Sequence, residues 1–331
     1  MPQNLELSTV SVVVPVFNEE ENVTELVRQI GEAMDRTPRP WELIVVDDGS
    51  CDGTLRILDE ICAGHPHLRV LELQRNYGQT AAMQAGIDAS RGDLVVTLDG
   101  DLQNDPADIP RLMDRLENEA LDLLQGWRKQ RKDGLILRKI PSRIANRLIG
   151  GITGVRLNDY GCSLKVYRGS VIRNVRLYGE MHRFIPAWMS RHTAPHRIAE
   201  EVVNHRPRVA GTSKYGISRI YRVLIDLMVV HFFLRFLSRP GHFFGPIGLT
   251  LGAIGSVILA YLMFDKFVLG ESIGTRPLLT AGVLLVVVGV QFLTTGILGE
   301  LVSRTFFAAS NTYPYALRPD RNQAPGWRTR S

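Results

Sequence analysis

Val95 to Gln103 reads V-V-T-L-D-G-D-L-Q. Residues suited to a buried strand run straight into two carboxylates, Asp99 and Asp101, with only Gly100 between them. Such a segment carries a pair of acids out of a sheet and into a cleft. Mg²⁺ takes one or two protein carboxylates and completes its shell with phosphate oxygens and water, so the spacing suits a hard divalent cation. A strand ending in a solvated Asp-Gly turn would read the same way in isolation. The neighbouring segments therefore decide its meaning.

Val10 to Val16 is a β-branched run that ends in Phe17-Asn18 and then Glu19-Glu20-Glu21, with Asn18 as a candidate N-cap. Three carboxylates at a helix start would repel a phosphate, which excludes a P-loop or a dinucleotide fingerprint there. Trp41 to Val46 predicts a second strand ending in Asp47-Asp48-Gly49-Ser50, and Ser50 or Asp52 caps a helix to about Ala63. Leu68 to Leu73 predicts a strand and Gly78 to Ala89 a helix. Asp105-Pro106 opens another helix, and Leu121 to Gly126 is a further strand. Strands alternating with helices predict an α/β fold on a mostly parallel sheet. In open sheets of this kind ligands sit beyond the carboxyl ends of the strands. Asn18-Glu19, Asp47-Asp48 and Asp99-Gly100-Asp101 all fall at such ends.

Arg128 to Lys132 is a basic run ahead of an amphipathic segment, 134–151, that places Ile136, Ile140, Ile144 and Leu148 on one side. Arg138, Lys139, Arg143 and Arg147 fall away from them, as in a helix lying on a membrane surface or one packed on a core with a solvated face. Asn158-Asp159-Tyr160-Gly161-Cys162 leads into an expected edge strand, Ser163 to Tyr167. Glu180 to His192 predicts a helix in which His182 is structural or interfacial rather than a catalytic acid, and Arg197 to Asn204 predicts a last strand. The loop Arg206 to Tyr215 is rich in cations and small residues, as a lid meeting phosphates would be.

The mean hydropathy of −0.01 is high for a chain with 22% charged residues, and the apolar residues are concentrated late. Phe243 to Phe264 and Leu278 to Gly299 each hold 22 residues without a charge, enough to span a bilayer. A mixed helix, 218–240, leads into them, the hairpin covers about 241–302, and a tail follows over 303–331. The first residues show no signal peptide, and Arg219, Arg222, Arg235, Arg239, Arg304 and Arg318 flank the spans. Residues 1–217 and both termini are therefore expected on the cytoplasmic side of the inner membrane. Gly248, Gly252 and Gly255 could pack the spans within one chain or between copies. Three cysteines without C-x-x-C spacing read as reduced thiols. The net charge of +5 fits an anionic membrane surface or phosphates, and no nucleic-acid module accompanies it.

V-V-V-P-V-F-N-E-E, V-V-D-D-G-S, the R-N-Y-G that begins at Arg75, L-D-G-D-L-Q, N-D-Y-G-C-S-L-K and G-T-S-K-Y, followed by two spans, resemble the polyprenyl-phosphate glycosyltransferases of glycosyltransferase family 2. The resemblance implies a GT-A fold, a nucleoside diphosphate sugar donor, Mg²⁺ or Mn²⁺, and a polyprenyl phosphate acceptor at the bilayer. By matching motif it implies that Pro15, Phe17, Glu19, Asp47, Asp48, Gly78, Gln79, Asp99 and Gly100 bind the donor. Asp99, Asp101 and Gln103 would hold the metal. Arg206 and Lys214 would clamp diphosphate or acceptor phosphate, and Asp159 would orient the sugar or acceptor or act as base. Arg131, Arg138, Arg143, Ser213 and Lys214 would face acceptor and membrane. Phe17 stands where relatives often carry Tyr, so stacking rather than hydrogen bonding is expected there.

A phosphate monoester is already ionised near neutral pH, its second pKa being about 6. Such a nucleophile hardly needs a base, and direct displacement should invert the anomeric carbon. The expected donor is a UDP-sugar, UDP-glucose favoured, with GDP-mannose the alternative. A processive polysaccharide synthase would bring more spans and a Q-x-x-R-W motif, and a non-catalytic nucleotide-sugar scaffold would bind without transfer. A homo-oligomer through the spans is left open.

Overall fold

The computed structural model describes residues 7–129, 149–151, 154–177, 179, 181–206, 232–233, 235–236 and 239–309. Arg131, Arg138, Arg143, Ser213 and Lys214, with most of the amphipathic segment 134–151, residues 207–231 and the tail from 310, lie outside the described residues. The chain divides into two units, Met1–Met228 and Val229–Ser331.

In the first unit, β1 (Val10–Val16) is buried along its whole length, as a strand covered on both faces requires. α1 (Val23–Met34) buries Leu26, Val27, Ile30 and Met34 from one face. β2 (Trp41–Asp47), α2 (Thr54–Cys62), β3 (Leu68–Glu72), α3 (Gln79–Ala89) and β4 (Leu94–Thr97) continue the alternation. A short 3-10 turn, Pro106–Asp108, then leads into α4 (Ile109–Asn118), and Asp105 caps the turn by accepting from the Ala107 amide at 3.1 Å. β5 (Leu123–Trp127), β6 (Lys165–Arg168), α5 (Gly169–Ile172), α6 (Ile185–Met189) and β7 (Ile198–Val202) complete the unit. The strands form one seven-stranded sheet in the order β3-β2-β1-β4-β6-β5-β7. All pairings are parallel except those of β6 with β4 and β5. The result is the mostly parallel, GT-A-like sheet that the motifs implied.

Register fixes where the acids emerge. Val16 lies level with Asp47, and Val13 lies level with Thr97, the last residue of β4. The chain beyond Thr97 therefore runs alongside Val14 to Phe17 and brings Asp99 to Asp101 to the same edge as Asp47-Asp48. Gly100 is required there, because a Cβ would stand 2.8 Å from Val16 Cγ1.

Three local expectations are corrected. Asn18 does not cap α1: its φ is +55, its amide oxygen accepts from the Cys51 amide at 2.8 Å, and Asn22 holds the N-cap position. The Ser163 to Tyr167 stretch is internal, its β6 inserted antiparallel between β4 and β5. A lysine in a strand usually marks an edge, but Lys165 is buried with its ammonium bonded to the Cys162 carbonyl. The predicted 180–192 helix is a 3-10 turn, Met181–Phe184, followed by the short α6, which starts with Pro186 at its second position.

In the second unit, α7 (Gly241–Val268) and α8 (Pro277–Ala309) are long and apolar enough to cross a membrane. They pack through small residues. A Cβ on Gly248 would lie 2.7 Å from the Gly289 carbonyl, one on Gly255 2.7 Å from the Gly282 carbonyl, and one on Gly289 2.7 Å from the Gly252 amide. The glycine stripe that could have served an oligomer thus serves the chain's own hairpin. An Asp265–Arg276 ion pair at 2.6 Å joins the end of α7 to the turn before α8. Gly248→Leu is expected to push the helices apart and cost about 1–3 kcal/mol, read as a lower unfolding temperature of the detergent-solubilised protein.

Candidate active site

Asp47 and Asp48 leave β2 side by side but do different work. The Asp47 carboxylate accepts from the Ser50 amide at 3.1 Å and from the Ser50 hydroxyl, closing the turn after the strand. The Asp48 carboxylate accepts from the amides of Tyr77 and Gly78, at 2.7 and 2.9 Å. It therefore tethers the Arg75-Asn76-Tyr77-Gly78 loop to the sheet edge. The two loops touch so closely that a Cβ on Gly49 would stand 2.5 Å from the Arg75 carbonyl carbon, and Gly49 also has φ +71. Gly78, at φ +93, turns the chain into α3. Gln79, the first residue of that helix, reaches back to donate to Asp99 Oδ1 at 2.6 Å.

Along β1, Pro15 is buried and Phe17 half-buried. Glu19 accepts from the Asn22 side chain at 2.6 Å, and its amide donates to Thr54 Oγ1 at 2.9 Å. These contacts fix the start of α1 against α2.

Beyond β4, burial and the nearby Asp101 carboxylate push the pKa of Asp99 up, while a hydrogen bond from Ser163 and the charges of Lys165 and Arg128 pull it down. Asp101 Oδ1 accepts from the Gln103 amide at 3.3 Å. Leu102, between them, is buried in the left-handed region at φ +57. That conformation costs an ordinary L-residue about 1–2 kcal/mol, and it bends the chain sharply behind the acid pair. Strain of this kind gathers at functional sites. Asn104 then bridges to His205, and the Arg206 amide donates to the Gln103 carbonyl at 2.8 Å. The entrance to the basic loop is thereby held against the acidic segment. The Arg206 guanidinium itself contacts Gln29 and Asp105, each at 2.8 Å.

Asp159 is bidentately paired with Arg128, Nε to Oδ2 at 2.8 Å and Nη2 to Oδ1 at 3.0 Å. Their side chains are 14% and 11% exposed, so the pair is largely desolvated. Burial alone would lower the Arg128 pKa, but the Asp159 carboxylate outweighs it and holds the guanidinium charged. Arg128 stands at the head of the basic run 128–132. Its inward turn follows from its place just past β5, at the same edge as the other acids, and that position was the available signal. Lys165, level with Thr97 on β4 and Gln125 on β5, is a second charge that residue type alone did not place in the site.

The arrangement gathers Asp47, Asp48, Gly78, Gln79, Asp99, Gly100, Asp101 and Gln103 at one sheet edge. Asp159 is tied to Arg128 near Asp99, and Arg206 stands at the Asp105 side. Among the described residues no group of three or more His, Cys, Asp or Glu side chains forms a metal cage. The donor set fits a hard cation held by one or two carboxylates and completed by phosphate oxygens and water.

Cys162 lies beneath this floor, and burial pushes its thiol up to about 11. Iodoacetamide at about pH 8 is expected to alkylate the exposed Cys51 in the folded chain and to reach Cys162 only after unfolding, as peptide mass mapping would show.

This is the sheet and acid edge of a sugar transferase. The chain belongs to glycosyltransferase family 2, whose model, Glycosyl transferase family 2, matches residues 11–176. Within that family it groups with the polyprenyl-phosphate glycosyltransferases. It is 57% identical to the dodecaprenyl-phosphate galacturonate synthase of Rhizobium johnstonii over 97% of this chain and 96% of the relative. It is 37% identical to the undecaprenyl-phosphate 4-deoxy-4-formamido-L-arabinose transferase of Edwardsiella ictaluri over 90% of this chain and 89% of that one. The fold matches glucosyl-3-phosphoglycerate synthase from Mycobacterium tuberculosis, solved with Mn²⁺ and UDP-glucose. There the TM-score is 0.52 at 20% identity, over 68% of this chain and 79% of the other.

Proposed function

We propose that this enzyme transfers a hexuronate, galacturonate in the first instance, from a uridine diphosphate donor to a polyprenyl phosphate of the dodecaprenyl class. The observation that carries the acceptor half is the Asp159–Arg128 pair. A carboxylate bidentately committed to a buried guanidinium is a poor proton acceptor, so the chemistry suits a nucleophile that is already an anion. The donor half rests on the full-length likeness to a galacturonate synthase, which moves the reading from UDP-glucose to an acidic sugar.

In this reading Pro15, Phe17, Glu19 and Asp47 line the nucleoside pocket, and Asp48 shapes it through the Tyr77-Gly78 amides that it anchors. Asp99, Asp101 and Gln103 hold Mg²⁺ or Mn²⁺, which when bound neutralises charge developing on the leaving diphosphate. Arg206 and Lys214 meet phosphate oxygens, Arg206 by exchanging its Asp105 partner. Arg128 keeps Asp159 fixed against sugar or acceptor, and the acceptor oxygen attacks the anomeric carbon opposite the leaving group, with inversion. Residues 1–217 form the catalytic domain. Residues 218–240 lead into the 241–302 hairpin, and both termini are cytoplasmic. Holding the site at the membrane surface removes much of the entropic cost of meeting a membrane-bound phosphate.

The test is a donor competition in which the full chain in detergent receives dodecaprenyl phosphate with UDP-galacturonate, UDP-glucose, UDP-4-deoxy-4-formamido-arabinose and GDP-mannose. UDP-galacturonate should give the highest kcat/KM by at least about tenfold, a difference of 1.4 kcal/mol. Preference for a neutral sugar would overturn the hexuronate assignment while leaving the acceptor assignment standing.

A further inference from the structure

Three side chains on one face of α3 grip the chain that follows α5. Thr80, Gln84 and Asp88 stand at successive turns of the helix, four residues apart. Asp88 Oδ1 accepts from Arg176 Nη1 at 2.7 Å, and Gln84 Oε1 accepts from the Leu177 amide at 2.7 Å. Thr80 Oγ1 shares a hydrogen bond with His182 Nδ1 at 2.6 Å. Arg176, Leu177 and His182 thus meet α3 in reverse order, and the last contact falls in the helix's first turn. Thr80 is buried, and its neighbour Gln79 is the residue that reaches Asp99. His182, half-buried in the 3-10 turn Met181–Phe184 with Arg183 beside it, is therefore held at the cleft end of α3.

A hexuronate brings one more negative charge to an edge that already carries Asp47, Asp48, Asp99, Asp101 and Asp159. Like charges at close range cost affinity unless a cation offsets them. Among the described cations at that edge, Arg128 is committed to Asp159, the Lys165 ammonium to the Cys162 carbonyl, and Arg206 to Asp105 and Gln29. Arg75 stacks 4.5 Å over the Tyr77 ring, in the loop assigned above to the nucleoside. We infer that His182, backed by the charge of Arg183, is a specificity-determining residue that binds the carboxylate of the donor sugar. The inference rests on the hexuronate reading above. Thr80 holds Nδ1 and so fixes the rotation of the ring, and Nε2 on its far side donates to the carboxylate.

The quantity to measure is kcat/KM for UDP-galacturonate over that for UDP-galactose, which differs at C6 alone, with dodecaprenyl phosphate and the full chain in detergent. An asparagine amide falls near the place of histidine Nδ1, a glutamine amide near that of Nε2. His182→Asn keeps a partner for Thr80 and removes the distal donor. The ratio should then fall about tenfold or more, as for loss of a hydrogen bond to a charged group. His182→Gln keeps the distal donor and should retain most of the ratio. A role confined to holding the turn on α3 would leave the ratio unchanged in both. Loss of fold or of general catalytic power lowers both donors together, and calorimetric binding of the two donors gives the ratio for a variant too slow to assay. A wild-type ratio in His182→Asn would overturn the inference and leave the hexuronate reading standing. A wild-type chain that takes both donors equally would overturn that reading and the inference with it.

Discussion

Asp101→Asn is expected to lower turnover by about 10²–10³-fold, the usual loss when one preorganised partner of a developing charge is removed. The substitution keeps shape and hydrogen-bonding capacity at the bend that Leu102 makes in the left-handed region, so the fold should survive. It removes one of two carboxylates that stand at one sheet edge, separated by a glycine that Val16 leaves no room to replace. The effect should appear in kcat and in the Mn²⁺ concentration for half-maximal activity. The KM for the lipid should hardly move. Undiminished activity across Mg²⁺ and Mn²⁺ titrations would remove Asp101 from the metal site.

Arg128→Met is expected to destabilise the first unit by about 3–5 kcal/mol, because it leaves the Asp159 carboxylate desolvated without its partner. Chemical denaturation in detergent should show this as an earlier midpoint with an unchanged slope. The paired change Arg128→Met with Asp159→Leu should regain most of that stability, since two apolar groups replace a buried ion pair at little net cost. It should not regain activity, because the proposed mechanism needs Asp159 against the substrate. Recovery of both together would make the pair a packing element only.

The positions of the acids were legible because their cause is local. A short β-branched run such as Val10 to Val16 suits a strand buried on both faces, and parallel alternation sends each strand's end to one edge. Asp47-Asp48 and Asp99-Gly100-Asp101 followed from that alone. The partners of those acids were less visible, since pairing is decided by register between distant segments. Asp48 gave up its carboxylate to the Tyr77 and Gly78 amides, which no spacing announces. Arg128 sits at the head of a basic run with no partner marked by spacing, yet it is the one that meets Asp159. Lys165 lies in the stretch expected to form an edge strand. Its burial depends on β6 inserting between β4 and β5, a topology that sequence order does not specify. The glycines of α7 were visible as a packing stripe, but only the opposing Gly282 and Gly289 show that the stripe is used within the chain.

The most direct measurement is mass spectrometry of the lipid and nucleotide products when the purified full chain is given UDP-galacturonate, dodecaprenyl phosphate and Mn²⁺. A galacturonate ester of the prenyl phosphate formed in equal amount to UDP, and abolished in Asp101→Asn, is the predicted result. Donor binding with the prenyl phosphate unchanged, or UDP released without a lipid-linked sugar, would contradict the account.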